Sequence, residues 1–342
     1  MNTRVTIADV AREAAVSTQT VSRAINDKGE IRPETRQHVL DVAERLGYQP
    51  NTLARGLATD RTWTLGLIVP DVANPYFAEI IRGAEDAALP HDYTILLCHT
   101  NEDPQREQKL LTLLESKRVD GMILCSPALE RSQLTLQLAR QRAVMIINHP
   151  PLPDIVGAIW IDNIAGTRQA VEHLLACGRQ KIGLLYGMPE TFSRRQRRQA
   201  YLDTLIAHQI PIDEQAMEAC APQMEGGHQA ALTLLERVPT LDALICHNDL
   251  VAVGALQACA KLGRQVPADV AIFGFDNIPL AHLVWPTLST VHCPIAKLGE
   301  EAVMMLLHHI NGEHKNGQPV QEIEQPAAIC VTPELVLRES TP

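Results

Sequence analysis

Along residues 6–46 the apolar positions recur three and four apart, and no stretch alternates with period two, so this part of the chain reads as helices without strands. Ile7, Val10, Ala11 and Ala14 make the stripe of a first helix. Thr6, with Asp9 three positions on, supplies a capping pair at its start. Ala15-Val16-Ser17 is a short turn, and Ser17 caps a second helix over 18–25 that turns Val21 and Ile25 inward. Asn26-Asp27-Lys28-Gly29 breaks that helix. Pro33 suits the first turn of a third, where Val39, Val42, Ala43 and Leu46 repeat until Gly47 ends it. Three short helices, the first two joined by three residues, are the layout of a helix-turn-helix. Residues 49–62 are small and polar with only two leucines, which reads as a linker holding at most a short helix from Asn51 to Ala58.

From Trp63 the rhythm changes. Continuous apolar runs alternate with amphipathic helical stretches: LGLIV at 65–69, TILLC at 94–98, GMILC at 121–125, VMIIN at 144–148 and AIWI at 158–161. KIGLLYG at 181–187, ALIC at 243–246 and VAIFGF at 270–275 follow. Strands apolar on both faces and separated by helices imply buried parallel strands in βαβ units, here two doubly wound parallel sheets. The fold class expected is thus an all-α head followed by an α/β body.

Composition agrees with that division. The chain has 342 residues, 46% hydrophobic and 20% charged, a globular balance long enough for two or three domains. No apolar run reaches about 18 residues, which speaks against a membrane-spanning helix. The opening MNTRVTIADVAREAA carries Asp9 and no apolar core, so a secretory signal is not expected. Eight scattered cysteines without a CxxC pair suit reduced thiols in a cytoplasm. Charge is divided unevenly. Residues 1–61 hold 9 Lys and Arg against 8 Asp and Glu, leaving 21 bases against 32 acids in the rest. A body that acidic is repelled by phosphate, so only the head is a candidate for nucleic acid.

The second helix suits that role. It presents Thr18, Gln19, Ser22 and Arg23, and residues 15–26 contain no acid. In a major groove Gln can pair with adenine and Arg with guanine. The run TIADVAREAAVSTQTVSRAIN (6–26), continued by RPETRQHVLDVAERLGYQPN (32–51), strongly resembles the DNA-binding head of the LacI/GalR family of bacterial repressors, and the resemblance extends to about Leu337. It implies base contacts from Thr18, Gln19 and Arg23. It also implies phosphate contacts from Ser17, Thr20, Ser22, Asn26, Thr35, Tyr48 and Asn51. The linker would fold into a hinge helix on the operator and drive Leu57, with Ala54 beside it, into the minor groove, where two such leucines unstack one base step. Docking of Leu53 and Leu57 on the body is the plainer alternative. Leu57→Asp is expected to abolish specific binding in a gel shift while leaving the dimer folded.

The resemblance implies a body of the type I periplasmic-binding-protein kind, two lobes around an effector cleft. Ligands of open α/β sheets sit at the carboxyl ends of strands. Those ends carry Pro70 to Phe77, Ser126, His149, His247-Asn248-Asp249 and Asp276-Asn277. The cleft residues implied are Tyr76, Phe77, Cys125, Asn148, Arg197, Asn248 and Asp276, with Asp249 as a structural cap. Arg197 and Asp276 together suit a polyhydroxylated ligand. In the arginine-rich run, Arg194 and Arg198 are expected on a solvated face. Ala200, Cys125, Asn148 and Pro222 depart from the family's usual residues, which puts the usual sugar chemistry in question. His308, His309 and His314 have no carboxylate or cysteine to complete a metal set, so no metal, cofactor or catalytic group is expected.

The domains expected are a head over 1–49, a hinge over 50–62 and an effector-binding and dimerisation body over 63–342. Within the body, lobe 1 would take about 63–162 and 292–322, and lobe 2 about 163–291 and 323–340. The implied partners are a pseudo-palindromic double-stranded operator, a small sugar-like effector and a second copy of the chain; no membrane is involved. The implied location is cytoplasmic, on the nucleoid when operator-bound. Response to a purine or a phosphoprotein, or a transport solute-binding role, are the alternatives. An enzyme would need a GxGxxG, GxxxxGK[ST] or GxSxG element, and none occurs where its chemistry requires.

Overall fold

The structure, a computed structural model, describes residues 5–25, 31–48, 61–188, 191–315 and 326–342, the last three of α11 by backbone alone. It forms two compact units, Met1–Thr62 and Trp63–Pro342. In the first, α1 (Ile7–Glu13), α2 (Thr18–Ile25) and α3 (Pro33–Leu46) enclose a small core of Val10, Ala14, Val21, Ala24, Val39 and Val42. Thr6 and Asp9 form a reciprocal capping box, so α1 starts with two of its orphan donors satisfied. Ser17 Oγ accepts from the Thr20 N–H at 3.1 Å and starts α2 the same way. Gly47, at φ 67°, ends α3 in the left-handed conformation that costs glycine least.

The second unit contains two six-stranded sheets. The first is built from β1 (Thr64–Val69), β2 (Thr94–His99), β3 (Gly121–Cys125), β4 (Val144–Ile147), β5 (Gly157–Ile161) and β11 (Ala327–Val331). Its order is β11-β5-β4-β3-β1-β2, parallel throughout. The second has the order β12-β10-β9-β8-β6-β7. It uses β6 (Ile182–Gly187), β7 (Met217–Cys220), β8 (Ala243–Cys246), β9 (Ala271–Asp276), β10 (Ser289–His292) and β12 (Glu334–Val336). Only β12 runs antiparallel.

The inner strands β1, β3, β4, β5, β6, β8 and β9 are buried on both faces, which is why they read as unbroken apolar runs. In the first sheet Leu65, Leu67, Ile123, Met145 and Ile159 share the core with α4 (Pro75–Ala88) and α11 (Ile295–Lys315). Ile68, Met122, Leu124, Val144 and Ile146 face the opposite way, toward α5 (Pro104–Lys117) and α6 (Arg131–Leu138). Gly83 on α4 and Gly299 on α11 let those helices touch, since a Cβ on either would collide with the backbone of Ala296 or Ile80. The second sheet is covered by α7 (Asn163–Ala176) and α8 (Phe192–Ala207) on one face and by α9 (Met224–Arg237) and α10 (Asp249–Lys261) on the other.

Beyond the eight strands expected, the structure has β7, β10, β11 and β12, which are short and include three edge strands. Burial of β7, β11 and β12 is partial or mixed, and β10, though buried, reads Ser-Thr-Val-His, so all four lack the apolar signature of the other strands. The chain passes between sheets after Ile161, after His292 and again between Val331 and Glu334. The last passage lies beyond the expected 321–325, because 327–331 pairs with β5 on the first sheet and is not part of lobe 2.

Candidate functional site

In the first unit, Ser17, Thr18, Gln19 and Arg23 lie exposed, and Thr20, Ser22, Thr35 and Tyr48 are half-buried. They share one helix-turn-helix because Val21 and Ala24 take the opposite face of α2 into the core. The hydroxyls of Ser17 and Thr20 hydrogen-bond at 2.9 Å, which fixes the entry to α2. Other head arginines are engaged in the head itself: Arg45 pairs with Glu13 at 2.9 Å and Arg36 donates to the Ala24 carbonyl at 3.3 Å. Asn26, Asn51, Ala54 and Leu57 lie outside the described residues.

In the second unit the carboxyl ends of both sheets face a cleft with about 560 Å³ of space, part of it open to solvent. Loops after β1 to β4 supply one wall and loops after β6 to β9 the other. Three helices begin on these loops with side-chain caps: Asn74 on α4, Asp103 on α5 and Asn248 on α10. Of the seven cleft residues expected, the structure brings six to the cleft: Tyr76, Phe77, Asn148, Arg197, Asn248 and Asp276.

Cys125 is the exception. It points with Ile123 and Met145 into the core, 1% exposed, and burial pushes its thiol far above the usual range. Strand alternation decides this, and Ser126, one residue on and at φ 47°, takes the place on the cleft wall. Asn248 caps α10 by accepting from the Val251 N–H at 2.9 Å, so the cap expected of Asp249 falls to its neighbour. Asp249 is instead wholly buried, accepting from Thr290 Oγ1 at 2.6 Å and from the Ile278 N–H at 2.8 Å. It thereby anchors the loop that carries Asp276.

Arg197 is the most constrained side chain in the cleft. Its Nε donates to Asn163 Oδ1 at 2.8 Å and one terminal nitrogen donates to the His247 carbonyl at 2.5 Å. The other terminal nitrogen stands 3.6 Å from Asp276 Oδ1, and the guanidinium lies 3.5 Å from the centre of the Phe275 ring. Burial pushes the Asp276 carboxyl up to about 7 against the downward pull of Arg197. The same burial drives the His247 imidazole well below its ordinary value, with the two arginines adding to the effect, so it is neutral. On the facing wall, the Tyr76 hydroxyl donates to Asn148 Oδ1 at 3.0 Å and Asn148 Nδ2 donates to Ser126 Oγ at 3.0 Å. Tyr76 and Phe77 meet edge to face and are only 4% and 7% exposed.

Several cleft backbones are left-handed at residues other than glycine: Glu102 at φ 58°, Asn148 at 61° and Asp276 at 111°. Such conformations cost roughly 1–3 kcal/mol each and gather where side chains must be aimed at a ligand.

Sequence reasoning missed Glu102 and Arg194. Arg194, expected on a solvated face, is 8% exposed and pairs with Glu102 at 2.5 Å. Glu102 follows the carboxyl end of β2, so the strand-end rule that marked the other loops could have found it. Arg198 is half-buried beside the Tyr186 ring. His149 is turned to the Pro150 carbonyl and the Phe192 ring. Among the described residues no group of three or more His, Cys, Asp or Glu could hold a metal, and no helix is long and apolar enough to cross a membrane.

Comparison with known proteins decides between the architectures that share such a cleft. Residues 6–51 match the model of bacterial regulatory proteins of the lacI family. Residues 62–329 match the model of periplasmic binding proteins and the sugar-binding domain of the LacI family. The chain belongs to the LacI family. The ribose operon repressor of Halalkalibacterium halodurans is 33% identical over 98% of this chain and 97% of its own. The regulator DegA of Bacillus subtilis is 34% identical over 99% of this chain and 98% of its own. A crystal structure of the lac repressor dimer bound to operator and the anti-inducer ONPF superposes with a TM-score of 0.87, at 26% identity over 99% of both chains. These LacI relatives match the chain end to end, head and body together.

Proposed function

We propose that the protein is a homodimeric transcriptional repressor that grips a pseudo-palindromic operator through α2 and releases it when a small polyhydroxylated effector fills the cleft. One observation carries this reading. A single chain joins an acid-free, exposed recognition helix to a cleft that holds a buried Arg197–Asp276 pair, with Asn163 bonded to Arg197 and with Asn148 and Asn248 on the cleft lining. Thr18, Gln19 and Arg23 read bases, and Ser17, Thr20, Ser22, Thr35 and Tyr48, with Asn26 and Asn51, hold phosphates. Leu57, flanked by Ala54, wedges the minor groove. A sugar-like ligand is favoured because hydroxyl and amide groups, among them Thr100, Ser126, Asn148, Ser193 and Asn248, line the cleft and suit a polyol. The protein turns over no substrate and acts in the cytoplasm on nucleoid DNA.

Two copies meet through exposed apolar surface. Leu283 and Trp285, 79% and 82% exposed, stand two residues apart on one loop of the second lobe, which suits a partner of the same kind.

The experiment is a duplex selection followed by fluorescence anisotropy on selected and scrambled sequences, with and without sugars that raise the melting temperature. Effector and operator affinities are reciprocally linked, so a stabilising sugar weakens operator binding by the factor the operator weakens the sugar. Equal affinity for palindromic and scrambled DNA, or a strictly monomeric protein, defeats the reading.

A further inference from the structure

Asp276 ends β9 on a backbone that side chains disfavour. Its φ is 111° and that of Asn277 is 58°, two consecutive left-handed residues, neither of them glycine. Such a turn persists only where its surroundings over-determine it. Here they hold it from three sides. The Ile278 N–H donates to Asp249 Oδ2 at 2.8 Å, and the Asn277 N–H donates to Thr290 Oγ1 at 3.3 Å. Thr290 Oγ1 in turn donates to Asp249 Oδ1 at 2.6 Å, so one wholly buried carboxylate on α10 anchors both.

The third side is the side chain of Asn277, and a segment remote in sequence holds it. Arg338, which follows β12, donates from one terminal nitrogen to Asn277 Oδ1 at 2.7 Å and from the other to the Leu288 carbonyl at 2.5 Å. Arginine only donates, so the amide oxygen of Asn277 faces it and the amide nitrogen faces His292, whose Nδ1 accepts at 3.1 Å. Arg338 is fixed by its own backbone: its N–H donates to Ser289 Oγ at 2.7 Å and its carbonyl accepts from that hydroxyl at 3.0 Å. Ser340 and Thr341, just beyond it, are buried. Asp276 lines the cleft, whereas Asn277, Thr290, His292 and Arg338 do not.

We propose that Asn277 and Arg338 are positioning residues of the effector site, holding the turn that keeps Asp276 beside Arg197 and aimed into the cleft. Neither touches the effector. Once the side-chain bonds of Asn277 are lost, the backbone at 276 and 277 relaxes out of the left-handed region. The carboxylate then swings into water, away from the Arg197 nitrogen that stands 3.6 Å from it. The effector loses an acceptor for its hydroxyls although every residue lining the cleft is still present. This rests on reading Asp276 as an effector contact, and it extends the site to a residue 62 positions away in the chain.

The test uses Asp276 as its own reporter. Burial pushes its carboxyl up to about 7 from an ordinary 3.8, with Arg197, Asp249, Cys293 and Tyr76 facing it. Urea unfolding of the full-length protein is followed from about pH 4.5 to 8.5 for wild type, Arg338→Gln and Asn277→Ala, each beside the same form carrying Asp276→Asn. Because the folded pKa is raised, the stability of each Asp276 form relative to its asparagine counterpart falls as the pH rises and levels off above the folded pKa. Wild type should level off near pH 7. Both variants should level off about one pH unit lower or more, because a wetted carboxylate titrates nearer its ordinary value. A merely structural role weakens the protein equally with and without Asp276→Asn and leaves the levelling point where it was. Loss of a nearby cation from a turn that stays in place would raise it. A levelling point unchanged or raised in either variant overturns the proposal, and Asn277→Ala decides alone if Arg338→Gln does not fold. Operator binding is measured separately: indifference to every sugar defeats the effector reading and leaves the titration result standing.

Discussion

Replacing Arg197 with methionine keeps most of the volume beside Phe275 and removes the charge. The structure defines what is orphaned. Asn163 Oδ1 loses its 2.8 Å donor, the His247 carbonyl loses its 2.5 Å donor, and Asp276, 5% exposed, loses its counter-charge. Above about pH 7, where Asp276 is ionised, removing one partner of this buried charged pair costs about 3–5 kcal/mol. Two unsatisfied polar groups add about 1–3 kcal/mol each, offset in part because the guanidinium no longer has to be desolvated. The net expectation is a loss of about 3–5 kcal/mol in the body.

The loss should depend on pH, and its sign follows from Asp276. Its folded pKa, about 7, lies above the ordinary 3.8, so its contribution is full below 3.8 and gone once the pH has risen through about 7. Arg197 holds that value down, so the variant's carboxyl titrates higher still. Below about pH 7 both proteins fold with a neutral Asp276 and their difference is flat. Above it only the variant must still take up a proton, and the gap widens by about 1.4 kcal/mol per pH unit. Urea unfolding at pH 6, 7 and 8 measures this. A loss under about 1 kcal/mol, or one that does not grow between pH 7 and 8, would refute Arg197 as the support of that carboxylate.

The other expectations concern separate parts of the molecule. Arg23→Ala should weaken operator binding by about 1–3 kcal/mol at its guanine and relax specificity there, read by anisotropy on point-substituted duplexes. Unchanged discrimination would remove Arg23 from base reading. Trp285→Glu should convert a dimer to monomers in sedimentation velocity without changing the far-ultraviolet spectrum; a persistent dimer places the interface elsewhere. Glu107, 1% exposed, accepts from the Ala128 and Leu129 N–H groups, yet burial pushes its carboxyl up to about 7. Its stabilising contribution is full below its ordinary 4.5 and lost as the pH rises through about 7. Glu107→Gln should therefore gain on wild type between pH 5 and 8, by about 3 kcal/mol at most. A pH-independent difference between the two denaturation midpoints contradicts this.

How much of this was legible in the chain follows from how local each signal is. Thr6 and Asp9, Ser17, and Pro33 with Gly47 act within one turn, so spacing alone placed the head helices. The inner strands announced themselves because both of their faces are buried. The edge strands β11 and β12 did not, since their side chains stay partly in water. Family resemblance carried Arg197 and Asp276, but it could not settle the parity of β3, where one residue separates buried Cys125 from cleft-lining Ser126. Glu102 and Arg194 are 92 positions apart and meet only because the two lobes close. No window along the chain contains that pair, and an arginine-rich helix start is ordinarily a wet one.

The three passages between sheets have a bearing on inheritance. A recombination joint placed anywhere between β1 and β12 would unite strands and crossovers from different parents in at least one sheet, and the hybrid would have to re-pack every connector at once. The head has its own core of Val10, Val21 and Val39, with the boundary of its compact unit at Thr62. Gene shuffling can therefore exchange what the molecule reads as a cassette, while what it senses is transmitted only as an undivided block.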